Sequence, residues 1–411
     1  MPELTGALQR RLPPQFHREA QLIAADLIPL LPVMVAPTDG AITKGLLNCG
    51  AFARLHRECL RLGIWPAADL QSDQMRPYAP FAQLDLPDLR TEANLADWLM
   101  LDYSRVAYFT DISNRQNDHP DAPVHHYLYG LRRKSSGGLR VIEAPKSNLK
   151  SIQRRILHGI LDQVPVHTDA FGFVRGRSCV QGAARHCGEE CVVRFDLRDF
   201  FPSIQSKRVL GLFRRLGYPR WVAQSLTGLC TTATPGRVLV GLPPQQRQQM
   251  RVPHLPQGAA TSPALANLIA FTLDRRLSGL ARSVGAGYSR YADDLTFSGD
   301  IGITGVLEDA IPQIIADEGF VINPNKTRVT HRSERQTVTG IVVNQHLNIS
   351  RKQYDQIKAI IHALRRPDDP RRLDQAFCLS LEGKIDWVCA VNPHRGNKLR
   401  RLYQVTIEDF G

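Results

Sequence analysis

The stretch Ser289-Arg290-Tyr291-Ala292-Asp293-Asp294-Leu295-Thr296-Phe297-Ser298 constrains this chain more than any other. Two adjacent carboxylates separate two runs that read as strands, Gly287 to Ala292 and Leu295 to Ser298. Side chains alternate along a strand, and a tight reversal joins antiparallel neighbours. The simplest geometry is a hairpin with Asp293 and Asp294 at its bend. Adjacent acids repel, and a divalent cation is a common remedy. A solvated turn is the plainer reading of an isolated Asp-Asp pair, so the rest of the chain has to decide.

A second carboxylate stands in a similar place. Cys191-Val192-Val193-Arg194-Phe195-Asp196-Leu197 is a largely apolar run that reads as a buried strand. Asp196 lies at its end, where a core residue would be apolar, and a buried carboxylate is costly unless paired or metal-bound. Between the two acidic sites, Leu255 to Pro263 reads as a Gly-containing loop. It leads into one long helix, Ala264 to Ser283, with Thr261 or Ser262 as N-cap and Pro263 in the first turn. Downstream, Val306 to Glu318 reads as helix, Gly319 to Asn323 as turn and strand, and Lys326 follows. Thr337 to Val343 and Leu347 to Ser350 read as a hairpin. Carboxylates from two strands, a capped helix and a trailing lysine meet the requirements of two-metal nucleotidyl transfer, in which paired cations clamp the attacking and leaving oxygens.

The charge agrees with a polyanionic partner. The 411 residues carry 52 Lys+Arg and 39 Asp+Glu, a net +13. Residues 1–92 hold 9 basic and 10 acidic residues, so the excess lies in the remaining 319. Nucleic acid is the expected partner of that part. From Arg351 onward the chain reads as basic helices, suited to gripping a phosphate backbone. No apolar run reaches the roughly 18 residues of a membrane span, and Met1-Pro2-Glu3-Leu4 does not open a signal peptide. Eight cysteines without a framework spacing fit a reducing cytoplasm, and His186-Cys187 with Cys191 lacks the second pair of a metal site.

The N-terminal part reads as a separate helical piece. Phe16 to Ile28 and Ala51 to Leu62 have helical spacing, closed by Pro29 and Pro32 and by Gly63, and Pro66 to Pro87 reads as linker. A helix is expected from Glu92 to Tyr103. Strands at His125 to Leu131 and Leu139 to Ala144 flank a basic, glycine-bearing loop, Arg132 to Gly138. An amphipathic helix is expected from Lys146 to Leu161, and another helix from Lys207 to Leu216.

These residues carry a resemblance. Tyr291-Ala292-Asp293-Asp294 resembles the YADD box of reverse transcriptases, and Phe195-Asp196-Leu197-Arg198-Asp199-Phe200-Phe201-Pro202-Ser203-Ile204 resembles their first carboxylate motif. Leu255-Pro256-Gln257-Gly258-Ala259-Ala260-Thr261-Ser262-Pro263 resembles their template- and dNTP-contacting loop. Gly319 to Thr327 resembles the motif of the triphosphate lysine, and Thr337-Val338-Thr339-Gly340 the primer grip. Tyr288 to Ser298 and Val338-Thr339-Gly340 are typical of the retron type. Gly182-Ala183-Ala184-Arg185-His186 departs from the retron NAxxH element by Gly182 in place of Asn, and Ala260 stands where the family loop usually has Pro. The resemblance covers about residues 93 to 406.

The resemblance implies an α+β right-hand polymerase. Residues 1–92 would be an N-terminal helical extension, 93–335 fingers and an antiparallel palm, and 336–411 a primer grip and basic helical thumb. It implies Asp196, Asp293, Asp294 and the Leu197 carbonyl as ligands of two Mg²⁺ ions, with Mn²⁺ as a substitute, and Lys326 as proton donor to pyrophosphate. Lys134 (or Arg133), Arg140, Phe200, Phe201, Gln257 and Gly258 would bind dNTP, Phe201 as the gate that excludes a 2′-hydroxyl. Lys150, Arg154, Arg175, His186, Tyr291, Thr339, Gly340, Lys398, Arg400 and Arg401 would contact nucleic acid. The implied partners are a structured noncoding RNA serving as template and primer, its branched cDNA product, and an effector protein in anti-phage defence. No membrane partner is expected. The alternatives are a group II intron-like or diversity-generating reverse transcriptase, or an RNA-binding scaffold that sequesters an effector.

Overall fold

In the computed structural model, the two longest hairpins lie in different compact units. The structure describes residues 9, 14–27, 45–62, 74–111, 125–133, 137–366 and 368–408. One unit comprises residues 1–163 and 206–259, the other 164–205 and 260–411. Pro29, Pro32, Gly63 and Lys134 lie outside the described residues.

In the first unit, the helices His17–Leu27 and Gly50–Leu62 pack on each other through Ala20, Ile23, Ala51, Leu55 and Cys59. The single helix expected from Glu92 is two, Glu92–Leu99 and Tyr103–Thr110. Met100 takes a left-handed conformation, φ 55°, and ends the first, while Thr91 and Asn94 close a capping box at its start. Strands β1 (Tyr127–Arg133) and β2 (Leu139–Pro145) form an antiparallel ladder, and the helix Ser147–Gly159 follows. The helices Ser206–Arg215, Arg220–Cys230 and Pro244–Met250 complete the unit. The last two escaped the sequence reading. Arg220–Cys230 is buried on most sides, so it lacks a sharp polar stripe.

The second unit is built on a sheet of strands β3 (Cys191–Asp196), β4 (Gly287–Tyr291), β5 (Asp294–Gly299) and β6 (Arg328–His331) in the order β4-β5-β3-β6, all antiparallel. The strand expected before Asn323 is only a bridge between Leu197 and Ile322, and β6 supplies the fourth strand instead. The long helix is likewise two, Ser262–Ile269 and Phe271–Ser283, parted at Ala270. Thr261 makes no side-chain cap there. The short strands β7 (Thr337–Val338) and β8 (Ile341–Val342) meet through Thr339 and Gly340, at φ 49° and 84°. The helices Arg351–Ala363, Gln375–Val391 and Pro393–Glu408 enclose an aliphatic core of Ile357, Ile361, Leu381, Ile385, Val388 and Leu399. Among the described residues no helix is long and apolar enough to cross a membrane.

Candidate active site

The β4–β5 hairpin turns in two residues. Tyr291 pairs with Asp294, leaving Ala292 and Asp293 as the loop, with Ala292 at φ 56°. A non-glycine residue there is uncommon and has to be held in place. Gly172 comes close enough that a Cβ on it would lie 2.7 Å from the Ala292 nitrogen, so only glycine fits against the turn. Behind the turn, Arg290 is fully buried. Its guanidinium donates to both Asp274 oxygens (2.7 and 2.6 Å), to Asn267 Oδ1 (2.9 Å) and to the Ala292 carbonyl (3.1 Å). The Tyr288 hydroxyl donates to the same carboxylate at 2.8 Å.

On the other side of β5 lies β3. Asp196 is directly opposite Asp294, and the Leu197 N–H donates to the Asp293 carbonyl at 2.9 Å. Three carboxylates therefore gather at the ends of two neighbouring strands. Like charges directly opposite in a ladder are destabilising. Burial, reinforced by the charges of Asp196 and Asp294, holds the Asp293 carboxyl above the usual range. Burial also raises Asp294, against the opposing pull of Arg194. Two cations offset part of the charge. Arg194 stands two residues before Asp196, hence on the same strand face, with Nη2 3.4 Å from Asp294 Oδ1. Lys326 Nζ donates to Asp196 Oδ1 at 2.7 Å, and Asn323 Nδ2 to Oδ2 at 3.2 Å.

The donor set suits hard divalent cations, which take carboxylate oxygens. Three acids against two bases leave an excess negative charge that such an ion would neutralise. Among the described residues, however, no trio of His, Cys, Asp or Glu side chains stands preassembled around one cation position. The physical reason is visible: Asp196 and Asp294 already point at Lys326, Asn323 and Arg194.

Two expectations need correction. His186 is fully buried and cannot meet nucleic acid. Its ring lies 2.7 Å from Ser289 Oγ and 2.8 Å from Ser298 Oγ, bridging β4 and β5 from beneath, and burial pushes its pKa down to about 3. Phe200 is also buried, packed on Phe320 and beneath Arg290, so it is a core residue rather than a nucleotide contact. Phe201 is half-buried, and Phe173 lies between it and Tyr291, with ring centroids 6.2 and 6.1 Å away.

In the first unit, Arg140 is exposed on β2 directly opposite Arg132. Two like charges so placed favour an anion between them. The Gln257 carbonyl accepts the Glu143 N–H at 3.0 Å, and Gly258 at φ 139° lies so near β2 that a Cβ would be 3.0 Å from the Glu143 carbonyl. Lys150 and Arg154 are exposed one helical turn apart. In the second unit Arg175 is exposed, and Thr339 donates its hydroxyl to the Val338 carbonyl. Lys398 and Arg401 border a cavity of about 560 Å³ with Arg365 and His394, whereas Arg400 pairs with Asp386. The sequence reading passed over Arg194, Asn323, Phe173 and the Arg290–Asp274–Asn267 network. Arg194 and Arg290 did carry a signal: each is a lone charge inside a buried strand leading to an acid.

Comparisons with known proteins give the family of the chain. A family described as "Reverse transcriptase (RNA-dependent DNA polymerase)" matches residues 132–357, more than half of the chain. The chain belongs to that family, the RNA-directed DNA polymerases. Retron Mx65 reverse transcriptase of Myxococcus xanthus is 38% identical over 87% of this chain and 81% of its own. Retron Mx162 reverse transcriptase of the same organism is 35% identical over 76% and 66%, and retron Ec86 reverse transcriptase of Escherichia coli 36% over 59% and 70%. Within the family, the protein is a retron-type bacterial reverse transcriptase.

Proposed function

We propose that this enzyme reverse-transcribes a structured noncoding RNA, primed from a 2′-hydroxyl of that RNA, to give a branched RNA–DNA product. The observation that carries the catalytic part is the register that sets Asp196 against Asp294 with Asp293 in the adjoining turn. Asp196, Asp293, Asp294 and the Leu197 carbonyl would hold two Mg²⁺ ions, with Mn²⁺ able to substitute. Bound there, the ions supply activation of the primer hydroxyl and neutralisation of the triphosphate. The chain's own residues then position and stabilise charge. Phe201 sets a wall at the sugar and leaves no room for a 2′-oxygen. Lys326 delivers a proton to the departing pyrophosphate. Arg140, with the loop Gln257-Gly258, orients the incoming nucleotide, and Lys134 belongs to the same assignment.

The β1–β2 hairpin corresponds to fingers, the sheet β4-β5-β3-β6 to the palm, and the helices from Arg351 to a thumb whose Lys398 and Arg401 grip RNA phosphates. Residues 1–92 form an N-terminal extension. Folded RNA is read by shape and 2′-hydroxyls, which suits a basic surface. The product would serve anti-phage defence in a cytoplasmic complex with an effector protein. Purification from cells carrying the DNA upstream of the gene tests the reading. The expected result is co-purified branched RNA–DNA that is lost with Asp293→Asn. Purification of a complex containing only unextended RNA would favour a scaffold role.

A further inference from the structure

Both oxygens of the Asp196 carboxylate are engaged by this chain's own groups. Lys326 Nζ takes Oδ1 at 2.7 Å and Asn323 Nδ2 takes Oδ2 at 3.2 Å. The segment that brings them is itself fastened to β3. The Asn323 N–H donates to the Asp196 carbonyl at 2.7 Å, and the short turn Pro324–Lys326 is closed by the Lys326 N–H on the Asn323 carbonyl at 3.1 Å. Lys326 is therefore delivered to the carboxylate rather than left to find it. The pairing is one-sided in exposure: 41% of the Lys326 side chain is accessible against 8% of Asp196. An ammonium arrives from solvent and caps a buried acid that would otherwise be costly. Arg194 does not share this task, because its contact is with Asp294.

A divalent cation coordinates a carboxylate oxygen directly, at about 2.0–2.6 Å. A divalent cation on Asp196 repels an ammonium held against the same carboxylate, so each weakens the binding of the other. We propose that Lys326 is an exchangeable counter-ion that competes with divalent cations for Asp196, so that loading of the cation and release of the lysine are a single event. This rests on the reading of Asp196, Asp293 and Asp294 as the metal-holding group. It adds an ordering: the lysine becomes free to serve a phosphate only once Asp196 has been taken from it.

Mn²⁺ titration followed by electron paramagnetic resonance, on full-length protein stripped with chelator, tests the exchange without recourse to activity. Lys326→Gln is expected to bind Mn²⁺ roughly tenfold more tightly than the wild type. Arg328→Gln removes an exposed charge two residues on that makes no contact with Asp196, and it should change affinity much less. By reciprocity, Mn²⁺ should increase acylation of wild-type Lys326 by an amine-directed reagent, read by mass spectrometry. Thermal melting checks that each variant is folded. Unchanged or weaker Mn²⁺ binding by folded Lys326→Gln, with no change in Lys326 labelling, overturns the exchange. If Asp196→Asn leaves Mn²⁺ binding intact, it is the metal-site reading itself that fails.

Discussion

Arg290→Met removes the charge on which the catalytic turn is built. The guanidinium has no solvent access, and it satisfies the buried Asp274 carboxylate, Asn267 and the Ala292 carbonyl. Without it, Asp274 keeps only the Tyr288 hydroxyl among these contacts. Breaking a buried ion pair from one side costs about 3–5 kcal/mol. In a body of 150–250 residues each kcal/mol moves the melting point by about 2–4 °C, so a fall of roughly 6–20 °C is expected. Activity should fall as well, measured below both melting points, because Ala292 at φ 56° loses the donor that fixes its carbonyl. The double variant Arg290→Met, Asp274→Leu separates the two effects. An apolar pair of similar volume is often neutral or stabilising, so stability should largely return while primer extension does not. Differential scanning calorimetry and single-nucleotide extension are the assays. A single variant melting within about 2 °C of the wild type with normal extension would refute the reasoning, and so would a double variant that recovers both.

Other substitutions test neighbouring parts of the account. Phe201→Ala should admit ribonucleotides, improving their kcat/KM relative to dNTPs by roughly 10–100-fold in competitive extension. His186→Ala should lower the melting point through loss of the bridge between Ser289 and Ser298, at a cost of about 1–3 kcal/mol, while RNA affinity in a filter-binding assay stays unchanged. The raised Asp293 carboxyl has a pH signature. As pH climbs past 3.8 the unfolded chain ionises first, so the native state loses stability up to the folded pKa and does not regain it above. In chelator, Asp293→Asn should therefore melt higher than wild type at neutral pH and converge with it in acid. Added Mg²⁺ should narrow the gap by stabilising the wild type.

The acids were more legible in the sequence than the contacts that hold them. Asp196 stands out as an acid at the end of an apolar strand, where a core residue would be apolar, and Asp293 as half of an acidic pair between two strand-like runs. What holds them is long-range. Asp274 and Asn267 lie on two helices that read as one, and nothing local links them to Arg290. Ala270 breaks that helix without a glycine or proline to mark the place. His186 was misread for a related reason: a polar residue near a family motif suggests contact with substrate, yet its partners, Ser289 and Ser298, lie more than a hundred residues away and bury it. Phe200 and Phe201 show the limit of adjacency. Neighbouring rings in the short helix Phe200–Ser203 take opposite fates, one in the core against Phe320 and the other half-buried beside Phe173.

Extension of a primed RNA template with dNTPs and Mg²⁺ by wild type, Asp196→Asn and Asp293→Asn tests the central claim most directly. Both substitutions keep side-chain shape and remove one charge. If these carboxylates hold the catalytic ions, each should cost at least several kcal/mol of transition-state stabilisation, a loss of roughly 10³-fold or more in rate, with the fold intact by circular dichroism. Extension within about tenfold of wild type by either folded variant would contradict the assignment.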